Sequence, residues 1–142
     1  MISFIKTLNG WTNSLQTPLA FGGRLLLAFI FLNSGYDKIP NYPNEVQYMT
    51  SHGVSPSLLP LVIALELGGG AALVIGFLTR YAALALGGFS VIAAILFFPD
   101  LAKEDQWISF TNNLAIAGGM LVLMAFGPGA WSIDAKVFND RP

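Results

Sequence analysis

The chain has 142 residues, of which 54% are hydrophobic and only 11% are charged. Soluble domains carry roughly 25% charged residues, so this composition is typical of a membrane protein. A net charge of −1 argues against a nucleic-acid partner, which requires a basic surface. The absence of cysteine excludes thiolate nucleophiles and Cys-ligated iron–sulfur centres, and one histidine cannot build a His-rich metal site. We therefore expect no metal site.

Four apolar stretches are long enough to cross a bilayer as helices, which takes about 20 residues each. They run over about 18–35, 57–78, 81–98 and 110–126. Arg24 is the one charge in the first stretch and Glu66 the one charge in the second. The sequence therefore predicts an all-α fold, a membrane-spanning four-helix bundle that forms a single domain over residues 1–142.

The connections between the spans differ in length. Thr79 and Arg80 leave almost no room between the second and third spans, which predicts a tight hairpin. Residues 36–56 and 99–109 are expected to form loops, and a short polar tail follows Gly127. Residues 1–16 are amphipathic, which favours either a helix lying on the membrane surface or a frayed terminus.

The distribution of lysine and arginine predicts the orientation of the bundle. With four spans, both termini lie on the same side as the 79–80 connection. That side carries Lys6, Arg24, Arg80, Lys136 and Arg141, whereas the other side carries Lys38 and Lys103. The positive-inside rule therefore predicts that both termini are cytoplasmic.

Small residues four positions apart are expected to bring the helices together, because lipid is as apolar as leucine and gives no hydrophobic drive within the bilayer. The candidates are Gly68, Ala72 and Gly76 in the second span, Ala83 and Gly87 in the third, and Ala115 and Gly119 in the fourth.

Arg24 and Glu66 are the candidate catalytic residues, because charges inside a bilayer are costly and tend to be functional. Their estimated depths differ by less than about 10 Å on a rise of 1.5 Å per residue. This spacing favours an Arg24–Glu66 pair, direct or bridged by a ligand or water. An alternative for Arg24 is that its side chain extends to the inner headgroups.

A second polar group is expected near the outer surface, where the end of the first span meets the start of the fourth. We interpret its members as a cofactor-binding pocket together with Glu66: Asn33, Tyr36, Lys38, Asn112 and Asn113. Two alternatives remain. The asparagines could serve only helix packing through interhelical hydrogen bonds, and Asp37 and Lys38 could form an exposed loop pair. His52 is expected to be a surface residue.

The chain resembles the DoxX family of small bacterial membrane proteins in an ordered set of motifs. These are Arg24, Ser34-Gly35-Tyr36-Asp37-Lys38-Ile39, Glu66-Leu67-Gly68-Gly69-Gly70, Gly76-Phe77-Leu78-Thr79-Arg80, Asn113-Leu114-Ala115, Gly127-Pro128-Gly129 and Ser132-Ile133-Asp134. The resemblance implies a four-span inner-membrane protein associated with quinone-linked oxidoreduction or with oxidative-stress defence. The chain departs from the family pattern at Asn112, where a lysine is frequent, and at Phe98-Pro99, where a histidine is frequent.

Three functions fit these observations. The first is a membrane subunit that binds a quinone or quinol, has no redox centre of its own and works with an oxidoreductase partner. In this role, Glu66 would exchange a proton with the quinol and Arg24 would orient the ligand. Aromatic residues such as Phe29, Phe31 and Phe89 would pack against its ring. The second is a non-enzymatic scaffold or assembly module. The third is a proton or small-solute pathway, which would need a homo-oligomer.

Overall fold

The structure is a computed structural model that describes residues 1–140, and it contains helices but no strands over that range. The helices are α1 (Ile2–Ser14), α2 (Gln16–Lys38), α3 (Tyr42–Ser51), α4 (Leu59–Ile75), α5 (Thr79–Phe97), α6 (Glu104–Phe126) and α7 (Ile133–Val137). A single 3-10 turn, Pro56–Leu58, leads into α4.

Four helices are long and apolar enough to cross a membrane, which confirms the predicted four-span bundle. They are Gln16–Lys38, Pro56–Ile75, Thr79–Phe97 and Glu104–Phe126. The fourth begins six residues earlier than expected, because Glu104 and Asp105 occupy its first turn, where negative charge favours a helix N-terminus. We call the end that holds the 76–78 turn and residues 127–140 the termini end, and the opposite end the loop end.

Helices form in the predicted loop 36–56 and in the N-terminal stretch, for which a surface helix and a frayed terminus were both open. The predicted loop 36–56 contains α3, in which Pro43 lies in the first turn and Met49 is buried. Proline fits the first turn of a helix, because the amide it lacks has no intrahelical partner there. Residues Ile2–Ser14 form a continuous helix, so the frayed terminus is wrong. The exposed side chains of α1 include Phe4 and Trp11, and its location on the membrane surface stays a prediction.

Glycines bring neighbouring helices into contact, as predicted, although the contacting glycines of α4 differ from the expected ones. A Cβ at Gly70 would lie 2.8 Å from Leu32 on α2, and one at Gly69 would lie 3.0 Å from Leu86 on α5. Gly87 and Gly119 make similar approaches to side chains of the adjacent helices. Gly68, in contrast, has no atom of another helix near it, so its predicted packing role is wrong.

The segment after Gly127, expected to be a polar tail, folds back onto the α4–α5 turn. The Asp134 carboxylate accepts hydrogen bonds from the backbone amides of Leu78 (2.7 Å) and Thr79 (2.8 Å). Its own amide donates to the Gly76 carbonyl at 2.9 Å. The first amides of a helix have no intrahelical partner, so Asp134 caps α5 from a distant part of the chain.

Gly76 is required at this turn for two reasons. Its φ is +70°, in the left-handed region that favours glycine. A Cβ at this position would also collide with Ser132. Glycine at this position therefore allows the tail to pack directly against the turn.

Arg80 fastens the tail to the end of α6. Its guanidinium donates to the carbonyls of Met124 (2.6 Å) and Ala125 (2.8 Å) and to the carboxylate of Asp140 (2.8 and 2.9 Å). The last carbonyls of a helix have no partner of their own, and a cation there also favours the helix dipole. The hydrogen bonds from Arg80 lower the pKa of Asp140.

Replacement of Gly70 by alanine is expected to destabilise the bundle by about 1–3 kcal/mol, because the new methyl group overlaps Leu32 and the α2–α4 contact is tightly packed. The free energy of unfolding in mixed micelles measures this effect. Gly68→Ala is the matched control, since its methyl group meets open space and alanine favours a helix. Equal destabilisation by both variants would contradict the close α2–α4 contact.

Replacement of Asp134 by alanine is expected to lower stability by about 1–2 kcal/mol, because two amides at the start of α5 lose their acceptor. Asp134→Asn retains one acceptor oxygen, so its stability should lie between that of the wild type and that of Asp134→Ala. Thermal unfolding in detergent, followed by circular dichroism, gives the comparison. Lys136→Ala, on the exposed side of α7, should leave the midpoint unchanged, and a midpoint for Asp134→Ala equal to the control would rule out the cap.

Candidate functional site

Glu66 forms an ion pair with Lys38 inside the bundle, at the loop end. Only 3% of Glu66 is exposed, and its Oε2 lies 3.0 Å from Lys38 Nζ. Lys38 Nζ also donates to Glu66 Oε1 at 3.2 Å and to Ser34 Oγ at 2.6 Å, and Ser34 Oγ donates to Oε1 at 3.1 Å. Ser34 and Lys38 are four residues apart on α2, so both face α4 from one side of the helix.

Gly35 allows this arrangement, because α2 approaches α4 most closely where a side chain is missing. A Cβ at Gly35 would lie 3.1 Å from the Cβ of Glu66 and 2.9 Å from Leu67. The backbone of α2 therefore lies against Glu66, and the neighbouring Ser34 and Lys38 reach its carboxylate.

One oxygen of this carboxylate keeps a free hydrogen-bonding position. Glu66 Oε2 is buried and lies close to the Lys38 ammonium, yet it accepts no hydrogen bond of acceptable geometry from the described residues. The Lys38 ammonium therefore serves both oxygens, as a hydrogen-bond donor to Oε1 at 3.2 Å and in an ion pair with Oε2 at 3.0 Å. An ionised carboxylate offers about four acceptor positions, so Oε2 can accept a further hydrogen bond from a ligand beside Lys38.

Arg24 lies at the termini end and does not pair with Glu66, which corrects the expected Arg24–Glu66 pair. Its guanidinium donates to the carbonyls of Val74 (3.3 Å), Pro128 and Trp131 (2.6 Å), and only 1% of the residue is exposed. It therefore does not extend to the headgroups either. Arg24 joins α2 to the end of α4 and to the tail.

The antiparallel register of α2 and α4 explains this outcome. Gly35 lies against Glu66, whereas Arg24 lies against Gly76. Ten residues separate Glu66 from Gly76, so the two charges lie about 15 Å apart along α4. The side chain of arginine does not span that distance.

The Lys38–Glu66 pair faces a cavity of about 570 Å³ at the loop end. Its volume falls within the roughly 300–1,000 Å³ typical of sites for small organic ligands. Most of its walls are apolar side chains of α4 and α5: Leu59, Leu61, Val62, Leu65, Phe89, Ile92, Ala93 and Leu96. The polar groups come from α2, α3, α4 and α6: Ser34, Lys38, Glu45, Tyr48, Glu66 and Asn113. The cavity is thus suited to a mostly apolar molecule with a polar group.

The short helix α3 contributes an aromatic cluster that borders the cavity. The ring of Tyr48 stacks on that of Phe97 with centroids 5.3 Å apart, and the centroid of the His52 ring lies 4.4 Å from that of Tyr48. His52 Nδ1 is also 2.8 Å from the Tyr48 carbonyl oxygen, so His52 is half-buried in this cluster instead of freely exposed. Burial, assisted by the Glu45 carboxylate, raises the pKa of Tyr48. The phenol therefore stays neutral and retains its O–H as a donor.

The structure brings only some of the predicted binding residues to the cavity. Lys38 and Asn113 line it, and the alternative of an exposed Asp37–Lys38 loop pair is wrong because Lys38 pairs with Glu66. Asn33, Tyr36 and Asn112 are instead exposed on the outside of the bundle. Their placement separates them from the pocket they were expected to line.

Of the aromatic residues that were expected to pack against a quinone ring, only one lines the cavity. Phe89 lines the cavity, Phe31 belongs to the buried core, and Phe29 is exposed. Sequence reasoning missed Tyr48 and Phe97, which lie outside or at the edge of the spans. The spacing of Tyr48 and His52, one helical turn apart, is the signal that could have placed both on one face of α3.

Comparison with known proteins agrees with this architecture. The DoxX family model matches residues 19–99. The inner membrane protein YqjF of Escherichia coli K12 is 46% identical over 118 residues, covering 83% of this chain and 90% of that protein. The inner membrane protein YphA of the same organism is 31% identical over 120 residues, covering 80% and 86%.

No solved structure matches the chain. The family model covers more than half of the 142 residues. Both relatives are named inner membrane proteins, which agrees with the four spanning helices found here. The chain therefore belongs to the DoxX family and is a multi-pass protein of the inner membrane.

Proposed function

We propose that the protein binds a quinol in the loop-end cavity and serves as a membrane subunit beside an oxidoreductase partner that carries the redox centre. The observation that carries this proposal is the buried Glu66 carboxylate at the polar side of an apolar cavity, where Oε2 can accept a further hydrogen bond beside Lys38. A quinol hydroxyl is a donor of the required kind, and the ring matches apolar walls that include Phe89.

The cavity reaches the lipid-facing surface, which supports a ligand that arrives from the bilayer. Three of its lining residues are also well exposed on the outside of the bundle: Leu61 (66%), Ile92 (57%) and Leu96 (42%). They lie on α4 and α5, which the 76–78 turn joins at the termini end. An apolar tail can therefore extend between these helices into lipid while the headgroup lies at Glu66.

Lys38 compensates the charge of Glu66. A buried carboxylate is tolerated when a positive charge and hydrogen bonds satisfy it, and Lys38 and Ser34 supply both. Oxidation of a quinol to a quinone releases two electrons and two protons. Glu66 accepts the proton of the hydroxyl bound to Oε2, the proton of the second hydroxyl passes to water, and both electrons pass to the redox centre of the partner.

Arg24 has no part in this proposal, because it lies about 15 Å from Glu66 along α4 and its donors are directed to backbone carbonyls. The orienting role that the sequence suggested for Arg24 falls to Lys38, which contacts both Ser34 and Glu66.

Replacement of Glu66 by glutamine is expected to weaken quinol binding about 10- to 100-fold, because a hydrogen bond to a charged group contributes about 1.5–3 kcal/mol. The measurement is isothermal titration calorimetry with decylubiquinol, in detergent and without oxygen. Asp37→Asn is the matched control, since it removes the same charge from an exposed residue next to Lys38. Equal dissociation constants for Glu66→Gln and the control would rule out the proposed contact.

Replacement of Ala93 by phenylalanine is expected to abolish detectable binding of decylubiquinol, because the new ring occupies the cavity that Ala93 lines. Ala85→Phe adds the same ring to an exposed position of α5 and should bind as the wild type does. If Ala93→Phe binds normally, the ligand does not occupy this cavity. A scaffold role would then fit better, in particular if Glu66→Gln lowers the unfolding temperature without any effect on binding.

A further inference from the structure

The α3 side of the loop-end cavity carries a carboxylate that has no partner among the described residues. Glu45 is half-buried and lines the cavity, yet none of the ion pairs within the described chain includes it. Its side chain makes no hydrogen bond there either, whereas its backbone amide donates to the Asn41 carbonyl at 3.1 Å. Charges removed from water are normally paired, so this carboxylate is suited to receive a positive charge from a ligand.

The charges that line the cavity are also unbalanced. Lys38 supplies one positive charge, and Glu45 and Glu66 supply two negative charges, so the lining carries a net charge of −1. The ammonium of Lys38 lies 3.0 Å from Glu66 and donates to Ser34, which leaves the charge of Glu45 uncompensated. Apolar walls screen a charge poorly, so the cavity attracts cations and repels anions.

Aromatic rings line the same cavity. Tyr48 follows Glu45 by three residues, so their side chains lie on one side of α3. The Tyr48 ring stacks on that of Phe97, and the His52 ring packs edge-to-face with Phe97 at 5.4 Å between centroids. The faces of aromatic rings attract organic cations, of which quaternary ammonium ions are the best-known examples. The four rings of the lining are those of Tyr48, Phe89, Phe97 and Phe98.

From these three features we infer that the cavity is a binding site for lipophilic organic cations. The positive charge lies between the Glu45 carboxylate and the rings of Tyr48 and Phe97, and the apolar substituents fill the space beside α4 and α5. Leu61 and Ile92 line the cavity and are also well exposed on the lipid-facing surface. A ligand of this class can therefore enter from the bilayer.

The chemistry of the lining favours a cation over other amphiphilic molecules. An anion would meet a net negative charge, and a neutral molecule does not compensate Glu45. The inference goes beyond the proposed quinol site and does not rest on it, because the quinol hydroxyl contacts Glu66 on α4 and Glu45 has no part in that contact.

Binding of tetraphenylphosphonium tests the inference, with tetraphenylborate as a probe of nearly the same shape and opposite charge. Isothermal titration calorimetry of the full chain in dodecyl maltoside, with protein-free micelles as the blank, is expected to show saturable binding of the cation and none of the anion. Glu45→Gln removes the uncompensated charge and should weaken binding of the cation about 5- to 30-fold. Glu104→Gln removes the same charge from an exposed position of α6 outside the cavity and should bind as the wild type does.

Three results would overturn the inference: no saturable binding of tetraphenylphosphonium, equal binding of tetraphenylborate, or equal dissociation constants for Glu45→Gln and Glu104→Gln. Decylubiquinol, titrated into the same samples, separates the inference from the proposed function. A wild type that binds tetraphenylphosphonium and not decylubiquinol would support the cation site and refute the quinol site. The reverse pattern would refute only the cation site.

Variants of Tyr48 test the aromatic part of the site. Tyr48→Leu removes the ring and keeps an apolar side chain, so it should weaken binding of tetraphenylphosphonium about 3- to 10-fold. Tyr48→Phe keeps the ring and should retain the wild-type dissociation constant. An unchanged constant for Tyr48→Leu would place the cation away from this ring and refute the position inferred for it.

Discussion

A charge within a bilayer must find its partners inside the protein, and this constraint organises both ends of the bundle. Glu66 is satisfied by Lys38 and Ser34, which fixes how α2 lies against α4. Arg24 is satisfied by carbonyls of α4 and of the tail, which fixes where the tail lies. Unpaired, each charge would cost several kcal/mol, so the contacts of these two residues constrain the packing of most other elements.

The two ends of the bundle meet this constraint in different ways, and the difference separates stability from binding. At the termini end, Asp134 and Arg80 satisfy backbone groups of α5 and α6, and Arg24 donates to three backbone carbonyls of α4 and the tail. At the loop end, Lys38 and Glu66 satisfy each other and face a cavity lined mainly by α4 and α5.

The four spans and the presence of two buried charges could be predicted from hydropathy alone, because membrane thickness sets the length of an apolar helix. The partner of Glu66 could not be predicted in this way. Depth estimates treated each helix as crossing the bilayer independently, whereas Gly35 sets a register that aligns Lys38 with Glu66 and moves Arg24 away. The sides of α2 and α6 that carry Asn33 and Asn112 likewise depend on packing that periodicity does not reveal. The helix α3 is not evident from the sequence, because Pro40 and Pro43 around its start are typical of a loop.

The cap on α5 also has a consequence for the order in which the protein assembles. Asp134 follows Thr79 by 55 residues, so the amides that open α5 have no acceptor while the ribosome is still producing α6. The hairpin of α4 and α5 therefore enters the membrane with an incomplete turn. Its final geometry is reached only when the segment around Asp134 has been synthesised and has returned to it. All four spans are therefore synthesised before the turn between the second and the third is complete.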